Sequence, residues 1–264
     1  GITAVEEVAH AKANNIDVII TDHHLPHALL PRAFAILNPK VDDYKEKYLC
    51  GAGVVFKLVQ GFIEKYGEYY NIHKGWEKWS LDMAGLATLS DLVPLLGENR
   101  AIAYFGMKVL QKSKRPGLQK LLAKMKIEQK YLSEDDIGFM IAPRLNAASR
   151  MDDPMRAYEL LSTEDESQGG ALSDHLTKIN DDRKTIVTII MREVNKNLEK
   201  RELKEVIVLG NPKWRVGVLG LVASRVAENY NKPVFVWGTD ENDIIKGSCR
   251  SNGEVSLVEL MTQV

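Results

Sequence analysis

The sequence predicts an α/β fold, in which a parallel-sheet domain carries a helical insert and a long connecting helix leads to a smaller α/β domain. Short apolar runs alternate with helical periods near the N-terminus, residues 78–165 are mostly helical in period, and a β-α-β-β order follows a helical stretch of some thirty residues. The predicted domains are residues 1–165, with the insert from about residue 78, then 166–202 as the connecting helix and 203–264 as the smaller domain.

The N-terminal part predicts a helix that leads into a parallel strand. Residues 1–15 place apolar side chains at helical spacing, and the β-branched run "IDVIIT" (16–21) predicts a buried strand. A second strand is predicted at 33–39, where Asn38-Pro39 ends it, and a long helix at 53–67 begins after the small residues "CGAG". This alternation is typical of an α/β domain.

The rest of the chain predicts the insert and the second domain. Helical stretches of the insert are expected at 79–95, 100–113, 117–125 and 154–162. A polar break at 162–170 precedes one helix of about thirty residues at 171–200, without glycine or proline. Strands are then expected at 205–210, 233–238 and 244–251, with a helix at 221–231 between the first two.

Composition limits the class of protein more than its activity. The chain has 264 residues, 45% of them hydrophobic, which is enough to bury a sizeable core. It has no apolar run of about 18 residues and no secretory signal pattern, so we expect no membrane insertion and a cytoplasmic location. Cys50 and Cys249 match no metal-binding spacing and are expected to be free thiols. A net charge of −1 decides no partner, and the basic stretch 108–130 fits a solvated face or a polyanion-binding surface.

An acid and three histidines follow the first predicted strand, in "IITDHHLPH" (19–27). Ligands gather at the carboxyl ends of strands in open parallel sheets, so Asp22, His23 and His24 lie where a site is expected. A satisfied polar turn is the alternative to a metal site, and mixed carboxylate and imidazole ligands would suit manganese. Asp91, before Leu92, is either a second carboxylate ligand or the N-cap of a following helix.

The motif pattern resembles the DHH phosphoesterase superfamily, and within it the RecJ-type, single-strand-specific 5′→3′ exonucleases. The motifs that carry the resemblance occur in family order through almost the whole chain: "VIITDHHLP" (18–26), "NPK" (38–40), "LCGAGVVFKL" (49–58), "LATLSDLVPLLGENR" (86–100), "APRLNAASRMDDP" (142–154), "WRVGVLGLVASR" (214–225) and "KGSCRS" (246–251).

The resemblance implies roles for individual residues. It makes His23, Asp91 and Asp22 the metal residues, with Asp22 as the close carboxylate partner of His23, for two divalent ions, Mn²⁺ or Mg²⁺. It makes Asp22, His23 and His24 catalytic, with His24 near the scissile phosphate. "PRLNAASR" resembles a phosphate-contacting loop. The substrate-binding residues that it implies are Arg144, Asn146, Arg150, Ser248, Arg250 and Ser251. For "GSCRS" the alternative is a tight turn with exposed polar residues.

The implied activity is metal-dependent hydrolysis of phosphodiester bonds in single-stranded DNA that carries a 5′ phosphate, for repair and recombination, with a single-strand-binding protein or replication and repair factors as partners. The alternatives are a DHH-type enzyme for short oligonucleotides or cyclic dinucleotides, and a non-catalytic scaffold related to RecJ. The family's upstream acidic motifs and its C-terminal glycine-glycine-histidine motif do not occur in this sequence. We therefore interpret the chain as a fragment of a longer protein and expect the fragment alone to be inactive.

Overall fold

The computed structural model describes residues 1–251, 253 and 256–262, which divide into two units, Gly1–Ala142 and Pro143–Val264. The first unit begins with a helix that leads into two parallel strands and a second helix, as the sequence predicts. These elements are α1 (Val5–Ala13), β1 (Ile19–Thr21), β2 (Ala35–Leu37) and α2 (Gly51–Tyr66). The Cys50 thiol caps α2 by accepting a hydrogen bond from the backbone N–H of Gly53 at 3.4 Å. Cys50 and Cys249 are free thiols.

The helical insert continues the first unit. Its helices in that unit are α3 (Leu81–Ser90), α4 (Gly97–Leu110) and α5 (Pro116–Lys124), with 3₁₀ turns at Trp76–Ser80 and Gln129–Tyr131 and a π-helical turn at Asp136–Ile141. α3 crosses α4 where two glycines meet, since a Cβ atom on Gly85 would lie 2.7 Å from the Cα of Gly106. The absence of side chains there lets the two backbones approach closely.

The predicted helix at 79–95 ends earlier than expected, so the N-cap interpretation of Asp91 is wrong. Asp91 is the C-cap of α3, and its backbone N–H donates to the carbonyl of Ala87 at 2.9 Å. Leu92 has a positive φ of 54°, a left-handed conformation that cannot continue the helix. The carboxylate of Asp91 is therefore not used to cap a helix beginning at Leu92.

Among its described residues, the second unit contains five helices and a three-stranded sheet. In chain order they are α6 (Ala142–Met151), α7 (Met155–Ser162), α8 (Glu166–Leu198), β3 (Ile207–Gly210), a 3₁₀ turn at Val216–Val218, α9 (Leu219–Tyr230), β4 (Val234–Thr239), β5 (Ile245–Arg250) and α10 (Leu257–Thr262). β4 lies between β3, to which it is parallel, and β5, to which it is antiparallel. The predicted β-α-β-β order is confirmed.

Two stretches of the second unit are more helical than the sequence analysis predicts. The stretch 143–150, expected to be a loop, lies within α6, which continues directly from the π-helical turn, and Leu145, Ala147 and Ala148 favour helix. The polar break at 162–170 is shorter than predicted. α8 begins at Glu166, because the Asp165 carboxylate accepts hydrogen bonds from the N–H groups of Ser167 and Gln168.

The C-terminal half of α8 shares a hydrophobic core with α9 and the sheet. Val187, Ile190 and Val194 of α8 are buried in the same cluster as Val222 of α9 and Val234 of β4. The predicted domain boundaries at 165 and 202 stay a prediction. No helix among the described residues combines the length and the apolar character that a bilayer crossing requires.

Candidate functional site

The loop that follows β1 carries the three polar residues that the sequence analysis singles out. The N–H of Asp22 donates to the carbonyl of Leu37 at 3.0 Å, so the β1–β2 ladder extends to the first residue of the loop. Asp22 is only 8% exposed, whereas the side chain of His24 is 74% exposed. The loop thus places a buried carboxylate and an exposed imidazole at the carboxyl end of a parallel strand.

The Asp22 carboxylate organises this loop. Its Oδ1 atom accepts hydrogen bonds from the N–H groups of His23 at 2.7 Å and His24 at 3.1 Å and pairs with His24 Nδ1 at 2.7 Å, while Oδ2 accepts from Ile2 N–H at 2.6 Å. Burial alone would raise the pKa of Asp22, but these hydrogen bonds outweigh it and hold the pKa well below its usual value. Asp22 is therefore ionised at neutral pH.

His23 lies next to the second predicted carboxylate. Its Nδ1 atom is 3.6 Å from Asp91 Oδ2. Burial lowers the pKa of His23 more than the charge of Asp91 raises it, and the charges of His24 and Lys40 lower it further. The imidazole is accordingly neutral at pH 7, which is the form that binds a metal ion.

The "NPK" motif supports the loop from the end of β2. The buried Asn38 side chain donates from Nδ2 to the carbonyl of His24 at 3.0 Å, and its Oδ1 accepts from the N–H of Lys40 at 3.0 Å. The ammonium of Lys40 donates to the carbonyl of His23. No role was predicted for Asn38 and Lys40, although their position at the end of the adjacent parallel strand was a usable signal.

The arrangement fits a divalent metal ion. Asp22, His23 and His24 each offer a ligand atom, and these atoms lie within 4.8 Å of one another. Asp91, whose side chain is 46% exposed, adds a carboxylate beside His23. Mixed oxygen and imidazole nitrogen donors suit manganese, and the carboxylates suit magnesium as well.

The second unit holds the predicted phosphate-contacting residues of α6. Arg144 is buried, and burial lowers its pKa while the carboxylate of Asp181 opposes that change. Asn146 is exposed and Arg150 is half-buried. All three lie on a helix, where side-chain directions are fixed more firmly than on the predicted loop.

The "GSCRS" motif forms the end of β5 and not the tight turn considered as its alternative. The guanidinium of Arg250 donates to Ser224 Oγ at 3.2 Å, to Ser248 Oγ at 3.4 Å and to the carbonyl of Cys249 at 2.7 Å. A Cβ atom on Gly220 would lie 3.2 Å from Ser248 Oγ, so this glycine of α9 leaves room for the group. Ser224 was not predicted as a partner of Arg250, because the two residues lie on different elements, α9 and β5.

Ser251 follows β5, and its Oγ accepts a hydrogen bond from the N–H of Gly253 at 3.1 Å. The predicted residues therefore fall into two groups within separate units. Asp22, His23, His24 and Asp91 belong to the first unit. The six predicted substrate-binding residues belong to the second.

Family models match both ends of the chain. The DHH family N-terminal domain matches residues 1–89, and the DHHA1 domain matches residues 203–264. The single-stranded-DNA-specific exonuclease RecJ of Bacillus subtilis is 36% identical over 267 residues, covering 100% of this chain and 33% of the relative. That of Salmonella typhimurium is 36% identical over 264 residues, covering 95% of this chain and 46% of the relative. The chain thus spans between a third and a half of these relatives.

Solved structures agree with the sequence comparison. The crystal structure of RecJ in complex with Mn²⁺ from Thermus thermophilus superposes with a TM-score of 0.86 at 33% identity, covering 99% of this chain and 38% of that one. A crystal structure of exonuclease RecJ bound to manganese gives a TM-score of 0.82 at 32% identity and 99% coverage of this chain, with 64% of that chain covered. The chain is a homologue of the RecJ exonucleases that combines a DHH-family N-terminal domain with a DHHA1 domain.

Proposed function

We propose that this chain forms the metal-binding and strand-binding core of a RecJ-like exonuclease, which hydrolyses phosphodiester bonds of single-stranded DNA from the 5′ end in repair and recombination. The observation that carries the proposal is the loop after β1, where a buried Asp22 carboxylate orients His23 beside Asp91. Relatives that share the whole length of this chain are named single-stranded-DNA-specific exonucleases, and related structures contain Mn²⁺ or Mg²⁺.

His23 and Asp91 would hold a divalent ion, Mn²⁺ or Mg²⁺, of the proposed pair. When bound, such ions lower the pKa of a water molecule and stabilise charge on the departing oxygen. Asp22 keeps the loop in the conformation that presents His23, and its four hydrogen bonds support a positioning role, while its role as a ligand stays a prediction. The exposed imidazole of His24 is available to contact the scissile phosphate.

The second unit would hold the strand. Arg250, oriented by Ser224 and Ser248, presents a planar guanidinium that can bind two oxygens of a 5′ phosphate, with Ser251 beside it in sequence. Arg144, Asn146 and Arg150 of α6 would contact backbone phosphates. Contacts of this kind are independent of base sequence, so the 5′→3′ direction of cleavage would come from the anchored 5′ end of the strand.

The test uses the gene product that contains this chain and a 5′-phosphorylated single strand labelled at one end or the other. With Mn²⁺ we expect release of mononucleotides from the 5′ end, and a chelator should abolish it. Cleavage of dinucleotides in preference to long strands would favour the small-substrate enzymes, and strand binding without cleavage would favour the scaffold. A single-strand-binding protein or repair factors as partners, and a cytoplasmic location, stay predictions.

A further inference from the structure

The segment between α3 and α4 exposes apolar side chains beside the candidate metal site. It begins at Asp91, whose carboxylate lies 3.6 Å from His23 Nδ1. Three leucines follow within five residues, and their exposed fractions are 84% for Leu92, 44% for Leu95 and 70% for Leu96. A single exposed leucine needs no explanation, but a group of them next to a predicted metal ligand indicates a contact surface.

The backbone of Leu92 is strained. Its φ of 54° lies in the left-handed region, which is unfavourable for a residue with a Cβ atom. Helices commonly end with a residue in this conformation, and glycine or asparagine usually occupies that position. Among the described residues Leu92 is also the most exposed large apolar side chain, so little packing offsets the strain. Stability of the fold therefore does not explain a leucine at this position.

The rest of the segment is held in place by Asn99. Its fully buried amide donates from Nδ2 to the carbonyl of Tyr48 at 2.9 Å and to that of Pro94 at 3.2 Å. The N–H of Leu96 donates to the same Pro94 carbonyl at 2.9 Å. Since the ring of Pro94 also fixes φ, the exposed leucines form a preformed surface that binds without a large cost in ordering.

We propose that Leu92, Leu95 and Leu96 form an apolar loop that contacts the face of an unpaired base next to the scissile phosphate, and so favours a single strand over a duplex. This inference rests on the proposed function and adds a determinant of its specificity. Because Leu92 directly follows Asp91, a base in contact with it would belong to a nucleotide beside the metal site. An unpaired base can turn a flat apolar face to the protein, whereas in a duplex the neighbouring bases cover that face.

The apolar loop would recognise a different part of the strand from the predicted phosphate contacts. Arg144, Arg150 and Arg250 would bind phosphate groups, which a duplex and a strand without bases also carry. Contact with the apolar loop requires a base. Loss of the leucine side chain should therefore weaken only strands that have bases, whereas loss of an arginine should weaken strands with and without them.

The experiment compares Leu92→Gly with Asn71→Gly in the gene product that contains the chain. Asn71 is exposed and has a φ of 53°, so both variants place glycine at a left-handed position. Binding is measured in chelator by fluorescence anisotropy, with single strands that carry either thymines or abasic sites at the 5′ end. We expect Leu92→Gly to lose about fivefold in affinity for the thymine strand, as for about 40 Å² of lost apolar contact, and nothing for the abasic strand. Asn71→Gly should change neither affinity.

Turnover with Mn²⁺ tests the effect on specificity. The ratio of kcat/KM for the thymine strand to that for a blunt duplex of the same sequence should fall by about fivefold in Leu92→Gly, the same apolar contact being lost. It should stay unchanged in Asn71→Gly. An unchanged ratio in Leu92→Gly would show that the apolar loop does not select single strands.

Two further measurements separate a contact with the strand from a structural role. Because glycine relieves the strain, Leu92→Gly should not lower the Tm, and a clear fall would show that the leucine packs against protein. The affinity for Mn²⁺, measured by calorimetry, should not change, and a fall would show that Leu92 positions Asp91 instead.

The binding data also distinguish this inference from the proposed function. Equal losses on the thymine and abasic strands, or a Leu92→Gly variant that matches Asn71→Gly, would refute the base contact alone. If the unsubstituted gene product binds strands without cleaving them, the proposed function fails, and the comparison of the two strands still tests the contact. If it binds no strand, both fail.

Discussion

Asp22 and His23 are adjacent in sequence but have different surroundings. The carboxylate of Asp22 accepts backbone hydrogen bonds in a buried position, whereas His23 points its Nδ1 toward Asp91. The residue types predict metal and phosphate chemistry. Which of the two residues orients the loop and which faces Asp91 depends on contacts with other parts of the chain. Asn38 and Lys40, which hold the carbonyls of His24 and His23, show this most clearly.

At this scale we predict the effect of His23→Ala in the gene product that contains the chain. The substitution removes an imidazole ligand, so the affinity for Mn²⁺ measured by calorimetry should fall by at least about tenfold. Turnover should fall far more than strand binding, because the predicted strand-binding residues lie in the second unit. His73→Ala removes an exposed histidine between α2 and α3 and is the control. Equal Mn²⁺ affinities in the two variants would reject the ligand assignment.

At the scale of elements, α3 and α4 depend on two glycines at their crossing. A Cβ atom on Gly106 would lie 2.6 Å from the Cα of Gly85 and 2.6 Å from the carbonyl of Leu81, so the contact is between backbones. Helical period predicts that both helices exist. It does not show which of their small residues meet, because that requires the crossing point.

Gly106→Ala should therefore lower the free energy of unfolding by about 1–3 kcal/mol, as overpacking does. Gly61→Ala on α2 is the matched control, because a Cβ atom there meets nothing within 4 Å. In that helix interior, alanine should raise stability by about 0.5–1 kcal/mol. Urea unfolding of both variants measures the difference, and equal effects would show that the glycine contact does not limit packing.

A polar group joins α2 and α4 to the segment before α2. Glu98 accepts hydrogen bonds from Tyr44 at 2.6 Å and Lys57 at 2.9 Å. Burial alone would raise the pKa of Glu98, but these partners lower it below 4.5, and they raise the pKa of Lys57 above 10.5 although burial alone would lower it. Since the pKa of Glu98 is depressed, its stabilisation is complete above pH 4.5 and is lost as pH falls through the folded-state value. Since the pKa of Lys57 is raised, its stabilisation is complete below pH 10.5 and is lost as the pH rises through the folded-state value.

Glu98→Gln should thus cost about 1 kcal/mol at pH 7, a modest value because both partners are partly exposed. The difference from the unsubstituted chain should shrink as the pH falls below 4.5. Glu64→Gln changes an exposed acid on α2 and is the control. Urea unfolding between pH 3 and 7 measures both, and a pH-independent difference for Glu98→Gln would contradict the linkage.

At the scale of the whole molecule, each unit has a core of its own. The cluster of the second unit runs from Met151 to Val236 and includes residues of α8, α9 and the sheet. A separate cluster in the first unit joins β2 and α2 to α3 and α4 through Val54, Ala84 and Ile102. Among the described residues, each unit therefore contains a hydrophobic cluster built from its own side chains.

We expect residues 143–264 to fold without the first unit. Because the buried side chains of that core all come from within the segment, its unfolding in urea, followed by circular dichroism, should be cooperative. Val222→Asp buries a charge in the core and should abolish the transition. A broad, non-cooperative transition for the unsubstituted segment would show that its stability depends on the first unit.

The sequence by itself determined the α/β class and most of the order of helices and strands, because hydrophobic period is a local property. The metal-site and phosphate-site residues that it indicates stay predictions. Tertiary structure decided that Asp91 lies beside His23 and that Asn38 and Lys40 support the loop after β1 through hydrogen bonds. These contacts join residues that are distant along the chain. Their distances follow from how helices and strands pack, which local sequence patterns do not specify.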